Sequence, residues 1–310
     1  MSRPDVIRAF RAVVLIAVSG ALVLAPSRAV ASEPPKVAVI VGPVGELSET
    51  YIEIAEMAAG RAEALGASVA RAYTPDATPE RVLAAVDGAS IVVYLGHGVG
   101  VPNPYSDNPH PGSVNGWGLQ GPEARGDHAD SASDGTLRYY GEEWIAANAK
   151  AAPGFVMIYS NACYAPGAGE GHHALATEAE ALARVSGYSR SPLQEMGASA
   201  YFATDFYGGA AELIERILST PGTTYGDLFT AEPRYEAEAV TRLPHASVDG
   251  LEVWLQRSSY FDGKVDYWYA FAGDPVAAAL SSGRAIVEPA EMGTGPALPV
   301  PLEYRDPHSY

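Results

Sequence analysis

Three short apolar runs punctuate the first half of the chain: Lys36–Gly42, Ser90–Gly98 and Phe155–Cys163. Each is rich in β-branched residues and lacks polar alternation, which predicts strands buried on both faces. Between them the period changes. Tyr51, Ile54, Ala55, Ala58 and Ala62 recur at spacings of three and four within Leu47–Leu65, a helical pattern closed by Gly66. Ser68–Tyr73 reads as a shorter strand, and Thr78-Pro79-Glu80 opens a helix that ends near Val86 before Asp87-Gly88.

From Val99 to about Arg138 the pattern lapses into a long Gly-, Pro-, Asn-, Asp- and Ser-rich loop with Trp117 embedded in it. Helices are expected at Tyr139–Lys150, Leu175–Val185, Gly209–Leu218 and Tyr225–Ala231, with a strand at Ala198–Asp205. Residues 232–272 carry little pattern beyond Val265–Phe271, an expected late edge strand, and the chain from about Ile286 to Tyr310 reads as an irregular tail. Strands alternating with helices predict an α/β three-layer sandwich with a mostly parallel sheet, in one domain over about residues 36–280. In such a sheet the ends of the second and third apolar runs reach one carboxyl edge, where open α/β folds place their sites.

Composition adds a location. Arg3, Arg8 and Arg11 precede the apolar stretch Ala12–Ala25, and Ala29-Val30-Ala31 supplies a small-x-small cleavage site, so residues 1–31 read as a signal peptide of a secreted protein. The stretch is shorter than the roughly 18–20 residues that span a bilayer, so no membrane insertion is expected after its removal. The chain carries a net charge of −17, which argues against nucleic acid as a partner.

Cys163 is the chain's only cysteine, and an unpaired thiol in an exported protein is a liability unless buried or used. One buried strand delivering His97 and another delivering Cys163 supply the two groups of a nucleophilic Cys/His site: a thiolate to attack a carbonyl, and an imidazole to hold and return the proton.

An apolar block ending in His97-Gly98, followed by one ending in Ala162-Cys163, resembles the caspase-like (clan CD) cysteine peptidases, which include caspases, legumains, clostripain and the gingipains. Gly273-Asp274-Pro275 is similar to the Gly-Asp-Pro near the end of gingipain-type catalytic domains. The resemblance implies a caspase/haemoglobinase-like fold, a peptide or protein substrate, Cys163 as nucleophile and His97 as its acid/base partner. The backbone N–H groups of Gly98 and Cys163 are then the candidate oxyanion donors. It requires no cofactor, although calcium is known in gingipain-like members, with Asp107, Asp127, Asp130 and Asp134 as the loop carboxylates available. Tyr164-Ala165-Pro166-Gly167 departs from the caspase pattern, in which Arg-Gly follows the cysteine.

Trp117 is a candidate substrate contact or a pin for its loop, and Asp205 a candidate selector of basic side chains or a surface aspartate. Two rivals stand beside the peptidase. One is a non-catalytic module that binds cell-surface glycan or protein through Tyr105, Trp117 and Tyr139. The other is a zinc hydrolase using Cys163, His97 and His172-His173. The Gly-x-Ser-x-Gly, Gly-x-x-x-x-Gly-Lys-Ser/Thr and His-Glu-x-x-His signatures are missing from the chain.

Overall fold

The computed structural model describes residues 34–103, 112–121, 137–169, 174–261 and 264–280. The expected signal peptide, residues 1–31, and the expected tail, residues 286–310, lie outside the described residues.

The apolar runs become β1 (Lys36–Val41), β3 (Ile91–Leu95) and β6 (Val156–Ser160), with β2 (Ser68–Tyr73) and β7 (Ala200–Thr204) beside them. These five strands pair in parallel in the order β2-β1-β3-β6-β7. Three antiparallel strands, β8 (Val240–Pro244), β9 (Glu252–Phe261) and β10 (Lys264–Gly273), extend the sheet to eight in the order β7-β10-β9-β8. The remaining strands, β4 (Trp117–Gln120) and β5 (Leu137–Tyr140), form a separate antiparallel pair.

Alternate residues of each central strand enter different cores. Val37, Ile91, Val93, Val156 and Phe202 face α1 (Ser48–Ala64), α5 (Gly209–Ser219) and α6 (Tyr225–Thr230). Ala38, Val92, Tyr94, Met157 and Tyr201 face α2 (Pro79–Val86), α3 (Glu142–Asn148) and α4 (Glu178–Gln194). The result is helix, sheet, helix, as a strand apolar on both faces requires. Among the described residues no helix is long and apolar enough to cross a membrane.

Several expectations change. The loop expected over 99–138 contains β4, and Tyr139-Tyr140 belong to β5, so the helix expected from Tyr139 starts at Glu142. Strands of four residues escape a periodicity reading because they complete hardly one repeat. The helix expected to end at Val185 continues to Gln194, past Gly187 and Pro192. A Cβ on Gly187 would stand 3.0 Å from the Asn115 side chain, closer than ordinary packing, so the helix passes Asn115 tightly there. The segment expected as an edge strand is β10, which lies inside the sheet between β7 and β9; the short β8, with no buried residue, is the edge on that side.

Candidate active site

Leu95 of β3 stands opposite Ser160 of β6, and Ser160 stands opposite Thr204 of β7. His97, Cys163 and Asp205 follow those positions by two, three and one residues, so all three arrive at one carboxyl edge.

Two sharp turns shape that edge. Gly96 leaves β3 at φ 152°, with the Tyr94 hydroxyl 2.5 Å from where a Cβ would be; only glycine fits there. Asn161 leaves β6 at φ 51°, its N–H on the Thr204 carbonyl at 2.9 Å and its Nδ2 on the Asp205 carbonyl at 3.1 Å, while its Oδ1 accepts from Ser160 Oγ at 2.9 Å. Asparagine tolerates the left-handed region because its side chain satisfies nearby backbone. Tyr164, immediately after the cysteine, adopts φ 67°, an uncommon conformation for so bulky a residue. It is held there by burial against Gly100 and beneath the Arg184 guanidinium, 5.0 Å above its ring.

The two loops touch. A Cβ on Gly98 would lie 2.2 Å from the Cys163 carbonyl oxygen and 3.1 Å from the Cys163 nitrogen. Gly98 is therefore the position at which the backbone after His97 meets the backbone of the nucleophile candidate. The Cys163 side chain is half-buried, as is His97.

Tyr94 anchors the histidine from below. Its hydroxyl accepts the Gly118 N–H at 2.8 Å and donates to the His97 carbonyl at 2.8 Å. Burial holds its proton in place, raising its pKa well above the usual tyrosine range. The His97 ring meets Tyr139 edge-on with centroids 6.4 Å apart. Sequence reading overlooked Tyr94, although a tyrosine inside a buried strand requires a hydrogen-bond partner and so signals one.

Trp117 is 1 % exposed and stacked on Tyr94. It pins the loop from within and presents no surface ring to a substrate. Tyr139 is also buried. Asp205 is half-buried at the same edge as Cys163, its backbone carbonyl accepting from Asn161 Nδ2. Tyr105, Asp107, Asp127, Asp130, Asp134, His172 and His173 lie outside the described residues. Among the described residues no three His, Cys, Asp or Glu side chains are gathered as a metal site.

No family model matches the chain, and no curated protein matches it.

Proposed function

We propose that the protein is a secreted cysteine endopeptidase, or a related acyl-transfer enzyme, of caspase-like architecture, acting on peptide or protein substrates through Cys163 and His97. The observation that carries this is the backbone contact between Gly98 and Cys163, which joins the ends of two adjacent parallel strands, one bearing an imidazole and the other the chain's only thiol.

His97 takes the proton of the Cys163 thiol, and the thiolate attacks the substrate carbonyl carbon, forming a C–S bond. The oxyanion is met by backbone N–H groups at the Gly98–Cys163 junction. Collapse breaks the C–N bond, and His97 returns its proton to the departing amine. Water, deprotonated by His97, then attacks the thioester, releasing the acid and restoring the thiol. An acyl-transfer enzyme would accept an amine in place of that water.

The test is incubation of the purified chain with a peptide library and with a peptidyl electrophile, read by mass spectrometry. Cleavage and a single covalent adduct are expected, both lost in Cys163→Ala. Cleavage in His97→Ala is expected to fall by about 10²–10⁴-fold. Intact peptides, or cleavage that persists in Cys163→Ala, would refute the reading.

A further inference from the structure

Helix α4 packs on one face of the sheet and reaches both loops of the candidate site with two side chains one helical turn apart. Arg184 and Tyr188, at i and i+4, share a face of the helix. The Tyr188 hydroxyl donates to the Cys163 carbonyl at 3.1 Å, and it lies 2.5 Å from where a Cβ on Gly98 would stand. It thus abuts the junction of the two loops. Arg184 spans the same loops farther out: Nη1 donates to the Gly167 carbonyl at 3.1 Å and Nε to the Pro102 carbonyl at 2.9 Å. Gly167 follows Cys163 by four residues, and Pro102 follows His97 by five.

Neither side chain is adjustable. Arg184 is 4 % exposed and Tyr188 is fully buried, with its ring packed edge-on against Tyr159 at 5.1 Å between centroids. A guanidinium is the group suited to bridging two carbonyls, since its donors leave a rigid plane in fixed directions and it carries its charge at every relevant pH. Burial keeps the Tyr188 phenol protonated, so its hydroxyl stays a donor.

We propose that Arg184 and Tyr188 are positioning residues that set the loop carrying Cys163 against the loop carrying His97. This rests on the reading of Cys163 and His97 as the reacting pair. Neither residue touches substrate; each acts through the backbone it holds.

The experiment is iodoacetamide alkylation of the full chain across about pH 4–10, read by mass spectrometry. Because Cys163 is the only cysteine, every alkylated thiol reports this site. The unaltered protein is expected to show a thiol pKa well below the ordinary value of about 8.5, lost in His97→Ala. Tyr188→Phe keeps the packed ring and removes one donor, and is expected to slow alkylation near neutral pH about threefold to tenfold and raise the apparent thiol pKa. Arg184→Met is expected to do more. Arg184→Lys is expected to restore part of the loss, because an ammonium can reach one carbonyl but cannot match the planar fork.

Melting temperatures separate positioning from scaffolding. Folded Tyr188→Phe and Arg184→Lys proteins with an unchanged alkylation profile would overturn the proposal, whatever their loss of stability. If Arg184→Met fails to fold, Tyr188→Phe still decides. An ordinary thiol pKa in the unaltered protein, indifferent to His97→Ala, would instead remove the reacting pair and the proposal with it.

Discussion

Among the described residues, a nucleophile-type side chain belongs with a histidine at two places, and the two differ in how open they are. Ser189 Oγ and His245 Nε2 are 2.9 Å apart, a distance that would suit a serine–histidine pair. Yet Ser189 is fully buried and its hydroxyl donates to the Val185 carbonyl at 2.6 Å. His245 Nδ1 accepts the N–H groups of Ser247 and Val248, both at 3.1 Å. That leaves Nε2 as the protonated nitrogen, donating to Ser189. The hydroxyl proton is spent inside α4 and the imidazole proton ties the chain turn at 245–248 to the helix. At the other pair, Cys163 and His97 are half-buried at a sheet edge, beside a backbone junction. A short contact between nucleophile and imidazole is therefore not itself chemistry. Access makes the difference.

Three substitutions test that contrast. The largest effect is expected from Gly98→Ala, whose methyl would meet the Cys163 carbonyl at 2.2 Å, backbone against backbone, with nothing flexible to yield. Loss of about 1–3 kcal/mol in urea denaturation, together with altered Cys163 alkylation, is expected; a neutral result on both would deny that the loops touch.

Ser189→Ala comes next. It strips the buried His245 Nε2–H of its acceptor and should cost about 1–3 kcal/mol by the same measurement, while the alkylation profile of Cys163 stays as it was. A changed profile would mean that the two pairs are coupled through α4.

The third effect is a pH dependence. Burial pushes His245 down to about 4 from its ordinary value of about 6.5. The folded state therefore resists a proton that the unfolded chain accepts, so the His245 contribution is complete above about pH 6.5 and is lost as pH falls toward about 4. Denaturation at about pH 7 and about pH 4.5 should show less acid loss in His245→Asn, whose Oδ1 can replace Nδ1 as acceptor, than in the unaltered protein. Equal losses would remove His245 from the acid response.

Much of this architecture was legible along the chain. The runs at β1, β3 and β6 are apolar without interruption because both sheet faces are covered, and that pattern survives in one dimension. Thr78 and Pro79 mark the start of α2, and Thr78 caps it, its Oγ1 accepting from Arg81 N–H. Thr177 and Glu180 form a reciprocal cap at the start of α4, a signal present in the sequence three residues from one another. The end of α4 was not legible. Gly187 and Pro192 argue against continuing a helix, and what overrides them is packing against Asn115 and the rest of the core. Reading the helix as finished at Val185 hid Tyr188, the residue that meets both loops.

Trp117 shows the converse limit. Its surroundings are Gly- and Asn-rich, as in a surface loop, but β4 pairs with β5 across a stretch of sequence with no pattern of its own, and the ring turns inward onto Tyr94. The antiparallel strands β8 to β10 were similarly obscure, since β10 is aromatic on both faces and its neighbours are known only once the sheet is assembled.

Read along the chain alone, strands and helices alternate, two buried strands lead into His97 and Cys163, and one thiol is present. These are local or periodic properties, written in hydrophobic spacing and in residue identity. It takes the assembled sheet to make β3 and β6 neighbours, to rest Gly98 on Cys163, and to bring Tyr188 and Arg184 to the loops of both. Such contacts join residues many positions apart, and their energies depend on shape and hydrogen-bond direction, which no linear pattern records.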